Sequence, residues 1–378
     1  MWAKVVQLLF RWKLNSNIYN YFLICVMESV VSCIDQTKSM IIQWGMIFTL
    51  IVSVVLAISV GAVSISPIDV WHIIMSKLMG QELSVASALA DIVWDIRVPR
   101  VLLASIVGAG LALSGVVMQA SVQNPLAEPF ILGIASGASV GAVVTILLGS
   151  VIAVNSIVIG VPMGAFIGAI VATIGVLLLA GIRSRMSTVR LILAGAVVSA
   201  LCTAISNFTI YMAGDVEGIQ SATFWTMGSL ADAKWDGLVL PMTIVSVVTA
   251  YFMSQVRILD ALLLGEEAAI TLGINATKQR RIYMGIIALL TGILVSQCGI
   301  IGFVGLVIPH IMRSFVGAVH RHLLPVAVLF GAIFLVWADV LSRVLLASGD
   351  LPIGIITALM GAPLFMKLLF GNSQNFGG

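Results

Sequence analysis

Residues 257–281, RILDALLLGEEAAITLGINATKQRR, are a polar island between long apolar runs, and their reading decides the architecture of the whole chain. Gly265 interrupts the stretch, and Glu266 and Glu267 follow where a helix N-terminus favours negative charge. The run AAITL supplies about two turns of helix. Gly273 suits the left-handed position that ends a helix, and Asn275 can cap the next helix start. Lys278, Arg280 and Arg281 stand where the following apolar run begins. The pattern predicts two short helices packed against a membrane face and presenting a surface to another protein. The alternative is a plain folded connection between two spans.

The composition around this island sets the class. Of 378 residues, 60% are hydrophobic and 9% charged, against about 25% charged in a soluble domain. The chain is therefore an all-α, polytopic membrane protein, and its length allows about ten spans of about 20 apolar residues. Basic residues are scattered over several loops without interleaved aromatics, so no nucleic-acid surface is visible. Cys25, Cys33, Cys202 and Cys298 form no C-x-x-C pair and read as packing residues. The four histidines have no metal-site spacing, and His320-Arg321-His322 reads as a charged cytoplasmic turn.

Taken in order, residues 1–43 form a mixed N-terminal extension, cytoplasmic or interfacial, whose apolar stretch YFLICVM is short for a span. The membrane body covers 44–371, with the polar island 257–281 inside it, and 372–378 is a tail. Spans are expected at 44–63, 99–119, 130–149, 157–181, 189–213 and 237–256. Two more share the 38-residue apolar run 282–319, broken by Gly299, Gly302, Gly305 and Pro309, and the last are 324–346 and 352–371. Pro99 fits the first turn of its helix. Asn124, Pro125, Glu128 and Pro129, in QNPLAEPFILGIASGASVG, predict a broken helix, which survives at membrane depth only inside protein or beside a water-filled cavity. Gly133, Gly137 and Gly141, with Gly160, Gly164 and Gly168, predict close helix packing. With the N-terminus inside, 14 Lys and Arg fall inside and 5 outside. That bias supports N-in, C-in topology and places 257–281 in the cytoplasm.

A bundle of this kind could be a channel, a secondary transporter, an enzyme or the membrane half of an ATP-driven pump. Ion-coupled transporters keep ionisable groups within the bilayer. Here nearly every charge maps to a loop or a span end, Glu128 and Asp339 being marginal, and Asp339 lies one turn from Arg343, its expected ion-pair partner. No G-x-x-x-x-G-K-[ST] loop is present, so any ATP and Mg would be bound by another subunit. On the outer side, Arg97, Arg100 and Arg343 stand among acidic loops. They could pair with neighbouring acids such as Asp95, or receive carboxylates of an acidic partner. Pro99 between Arg97 and Arg100 leaves a shared face unassured.

DIRVPR (95–100), QNPLAEPFILGIASGAS (123–139), LLLGEEAAITLGI (262–274), GIIGFVGLVIPHIMR (299–313), ADVLSR (338–343) and LPIGIITALMGAPLF (351–365) together resemble the FecCD family of permeases. The resemblance covers about residues 46–371 in motif order. It implies a non-catalytic, ten-span subunit in a bacterial cytoplasmic (inner) membrane, paired with a second copy or a paralogue and bathed in membrane lipid. It implies two ATPase subunits below and an extracytoplasmic substrate-binding protein above. By position, Arg97, Arg100 and Arg343 match the arginines that receive the binding protein. Gly265, Glu266, Ala268, Ala269, Leu272 and Gly273, with the adjoining Glu267, match the coupling helices seated on the ATPase. The fifth and tenth spans resemble the pathway lining. The family implies an iron(III)-siderophore as first expectation of cargo, haem as second and vitamin B12 as third.

Overall fold

The computed structural model describes residues 17–61, 63–80, 87–149, 160–181, 188–346 and 349–371, and every regular element among them is a helix. Residues 1–16 of the N-terminal extension and the tail 372–378 lie outside the described residues. Residues Met1–Gly45 and Met46–Gly378 form two units. In the first, Gln43 donates to the Ser39 hydroxyl at 3.2 Å. Helix α1 runs Asn17–Ser59, so helix begins well ahead of the span expected at 44.

The second unit continues with α2 (Pro67–Met79), α3 (Ser87–Asp91), a π-helical turn (Ile92–Arg97) and α4 (Val98–Val122). After a 3₁₀ turn (Pro129–Leu132) come α5 (Ile134–Leu148), α6 (Val161–Gly181), α7 (Thr188–Met212), α8 (Val216–Thr226) and α9 (Trp235–Ser254). The polar island folds as α10 (Val256–Leu263) and α11 (Glu266–Thr271). Then follow α12 (Ala276–Cys298), α13 (Val304–Val316), α14 (His320–Val344) and α15 (Ile353–Gly371). Among the described residues seven helices are long and apolar enough to cross a membrane, and three shorter apolar ones lie at Ile134–Leu148, Val304–Val316 and Ile353–Met366. Seven of the ten expected spans thus have a helix of crossing length, and the three shorter apolar helices lie, in order, where the other three were expected.

The second span starts earlier than expected. Helix is continuous from Ser87, because the π turn accommodates Pro99. A proline inside an α-helix removes one N–H and crowds the preceding turn; here Val98 N–H bonds five residues back, to the Val93 carbonyl. The wider turn opens the ladder where the proline cannot join it.

Helix α4 is the core, buried along nearly its whole length and packed by α14, α12, α13 and α9. Small residues permit this. A Cβ on Gly108 would overlap the Gly331 carbonyl of α14, and one on Gly115 the Gly305 carbonyl. Helices α5 and α6 close in the same way, Gly137 on Gly168 and Gly141 on Gly164, which is the approach the glycine spacing anticipated. In lipid, where apolar burial gives helices little reason to associate, such backbone contact supplies the attraction.

The segment 123–133 is broken as expected, and its polar groups are satisfied locally. Asn124 Oδ1 accepts from Leu126 N–H at 2.9 Å, and Ala127 N–H donates to the Asn124 carbonyl at 3.0 Å. Pro125 sits in this turn; Pro129 opens the 3₁₀ turn and Gly133 (φ 73°) closes it. Glu128, between the two turns, is half-buried. Phe303 is left-handed (φ 68°) at the start of α13. Ala127, Pro129 and Leu132 are buried while Gln123 and Leu126 are exposed, so protein covers the break on one side.

Candidate functional site

The inner face is built by 256–281. Helix α10 turns Leu259, Ala261 and Leu262 inward. Gly265 (φ 120°) then redirects the chain, and α11 begins with Glu266 and Glu267 in its first turn. Ala269 anchors α11 to the body. Its end is a Schellman motif: Gly273 (φ 77°) donates to the Ile270 carbonyl and Ile274 to the Ala269 carbonyl, both at 2.9 Å. Asn275 Oδ1 then accepts from Lys278 N–H at 3.0 Å and caps α12. So Asn275 starts the long helix, and the two short helices of the island are α10 and α11.

This segment leaves apolar side chains unburied. Leu264 is 73% exposed, Ile270 55% and Leu272 64%. Beside them a concavity of about 600 Å³ is lined by Glu266, Ile270, Asn275, Thr277, Lys278 and Arg281, among others. The segment is tied to the core by side chains. Arg280 Nη1 lies 3.4 Å from Glu266 Oε2, and its Nη2 donates to Gln123 Oε1 at 2.9 Å. Gln123 Nε2 donates to the Leu262 carbonyl at 2.8 Å. Asp260 Oδ1 accepts from the His320 main chain at 2.9 Å and lies 2.6 Å from its Nδ1. His320 is fully buried, so it is a joint between α10 and α14 rather than the charged turn expected of it.

At the opposite end of α4, roughly 37 Å away at 1.5 Å per residue, the three arginines converge, but inward. Arg97 donates to the carbonyls of Ile58 (2.8 Å), Ser59 (3.2 Å) and Val63 (2.5 Å). Arg100 Nε pairs with Asp339 Oδ1 at 2.8 Å, and its Nη1 with Asp350 Oδ2 at 2.5 Å. Arg343 donates to the carbonyls of Val60 (2.9 Å) and Ala57 (3.0 Å) and lies 3.1 Å from Asp339 Oδ2. The expected Asp339–Arg343 pair is present, whereas the acids that hold Arg100 are Asp339 and Asp350 rather than Asp95. The cluster carries three positive and two negative charges, and among its acids Asp350 is the one that reaches solvent, 43% exposed against none for Asp339.

Of the residues singled out in the sequence, the structure thus gathers two groups at opposite ends of one helix. The roles of Gln119, Gln123, Asp260 and His320 were not anticipated; no spacing marks them, since their partners are distant in sequence.

Comparison with known proteins places this architecture. The model of the FecCD transport family matches residues 49–371. The cobalamin import system permease protein BtuC of Halobacterium salinarum is 42% identical over 278 residues, covering 74% of this chain and 73% of its own. The hemin transport system permease protein HmuU of Yersinia pestis is 36% identical, covering 88% and 96%. Among solved structures, an inward-facing metal-chelate type ABC transporter superposes with a TM-score of 0.74 at 32% identity, covering 87% of this chain and 99% of its own. Seven long apolar helices and a family match over most of its length make this chain a multi-pass membrane permease of the FecCD transport family.

Proposed function

We propose that this permease translocates a metal chelate, that its α10–α11 segment seats on an ATPase subunit, and that its outer face receives a cargo-binding protein. The observation carrying the reading is the inner segment itself: three exposed apolar side chains beside a concavity, on the face where Lys and Arg concentrate. Water-exposed apolar knobs on a rigid, capped element are what a docking surface requires. Gly265, Glu266, Glu267, Ala268, Ala269, Leu272 and Gly273 shape that seat. Two ATPase subunits, which bind ATP and Mg, and a second permease copy or paralogue complete the importer.

At the outer face, Arg97, Arg100 and Arg343 hold the ends of α1, α4 and α14 together in this state. An acidic residue of the binding protein would compete with Asp350 for Arg100. The pathway side of α7 is the stripe Ala196, Ala200, Thr203 and Asn207, which is exposed and small or polar. Val197, Leu201 and Phe208, at a different angle on the same helix, suit lipid or a partner permease. An exposed amide at membrane depth favours water.

For cargo we place cobalamin first, since the more identical relative is named for it, and haem next; the iron(III)-siderophore expected from the sequence is the alternative. Titrating the cognate binding protein with cyanocobalamin, haem and a ferric siderophore decides among them. The wider reading requires that the chain co-purify with an ATPase whose turnover rises on adding that binding protein. Accumulation of cargo by the chain alone in vesicles without nucleotide would overturn it in favour of a secondary transporter.

A further inference from the structure

Two glutamines one turn apart at the inner end of α4 are used in the same way. Gln119 Oε1 accepts from Arg313 Nη1 at 2.6 Å, while its Nε2 donates to the Leu306 carbonyl at 3.2 Å. Gln123 Oε1 accepts from Arg280 Nη2, while its Nε2 donates to the Leu262 carbonyl. Each amide ties an arginine of a later helix to a main-chain carbonyl, and the second does so around the inner segment. Leu262 is held by Gln123, Gln123 by Arg280, and Arg280 by Glu266 of α11, which closes a ring on 262–266.

Two features set this joint apart from ordinary packing. Gln123 is left-handed (φ 55°), a conformation that costs a non-glycine residue about 1 kcal/mol or more. Arg280 Nε and Arg313 Nη2 are buried donors without an acceptor among the described residues. Buried donors are nearly always paired, so each of these N–H groups is able to take a further acceptor. Two such donors, one on each arginine gripped by the glutamines, describe a network that a second arrangement could satisfy better.

We propose that the Gln119–Arg313 and Gln123–Arg280 pairs are a two-position joint through which displacement of α10–α11 reaches the core helix, with Gln123 its positioning residue. This rests on the coupling role proposed for α10–α11. When the seat moves, Arg280 and Arg313 exchange acceptors and α4 is released or gripped at its inner end. The far end of α4 is anchored by Arg100, so the motion is passed along a single packed rod.

The test uses the complete importer, with its ATPase and binding protein, in liposomes. Gln123→Gly deletes the amide while relieving the left-handed backbone, and retained ATPase association shows that the variant still folds. Arg280→Lys keeps a charge near Glu266 but loses the planar fork. Each is expected to cut cargo moved per ATP about fivefold, and the double variant no further than either single, because both break one joint. Unchanged stoichiometry in Gln123→Gly, or additive losses in the double variant, overturns the proposal. Loss of ATPase association in either variant also overturns it, since the pair would then only shape the seat. Failure of the unaltered chain to bind an ATPase would instead remove the coupling reading itself.

Discussion

Replacing Asp339 with alanine tests whether the outer cluster is held by its buried carboxylate. Asp339 is fully buried and receives a charge-assisted bond from Arg100 at 2.8 Å. Its second oxygen lies 3.1 Å from Arg343 Nε, yet that N–H is aimed at the Asp339 main-chain oxygen, so the second contact is an ion pair without a hydrogen bond. A charge-assisted bond contributes about 1.5–3 kcal/mol, and breaking a buried pair costs about 3–5 kcal/mol, because the remaining charge is stranded. Here Arg100 keeps Asp350, and Arg343 keeps its two carbonyls. That retained support puts the loss at the lower end, about 3 kcal/mol, or roughly 4 °C in midpoint for a chain of this size. Thermal unfolding of the purified permease in detergent measures it. Removing the buried charges together, as Arg100→Met, Asp339→Leu and Arg343→Met, should restore much of the loss, since the one charge then left without its partner, Asp350, reaches solvent. An Asp339→Ala midpoint within about 1 °C of the parent, or a triple variant worse than the single, would refute the reasoning.

Gly141→Ala should destabilise by about 3 kcal/mol or more, because its Cβ meets the Gly164 carbonyl and backbone cannot yield as a side chain can; Gly285→Ala in α12, where nothing lies within 4 Å, should be neutral or stabilising by up to about 1 kcal/mol, and paired melting curves compare the two. Glu266→Lys with Glu267→Lys should abolish ATPase association in a pull-down, by reversing the charge of the seat and setting an ammonium group against the Arg280 guanidinium; retained association would remove α11 from the interface. Asp350→Asn should raise the affinity of the binding protein about two- to fivefold by freeing Arg100 of an exposed competitor, read by titration at low salt; unchanged affinity would show that Arg100 takes no part in docking.

The apolar helices were legible because a run of twenty hydrophobic residues admits few other readings. The Gly273 and Asn275 caps and the glycine faces of α5 and α6 were legible because each depends on residues a few positions apart. The pair Asp339–Arg343 falls in the same class, one turn on one helix. What stayed hidden depends on long separation. Arg100 finds its acids 239 and 250 residues away, and Gln123 finds Arg280 157 residues away. Nothing local distinguishes a docking arginine from one consumed by the fold. The early start of the second span is hidden for a different reason: Pro99 reads as a beginning, and a π turn leaves no compositional trace.

That π turn has a consequence for how the outer end can be edited. A stretch of π geometry amounts to one surplus residue in an α-helical ladder, and each residue carries about 100° of azimuth. Excising a single residue from 92–96 would let the segment relax to ordinary winding, swinging everything ahead of it by that angle relative to α4. Trp94, whose ring lies 4.9 Å from that of Trp235 and whose carbonyl accepts from its indole, would turn away from α9. The six-residue stretch therefore acts as a phase adjuster, setting the rotational register between the outer connection and the core while leaving α4 itself untouched.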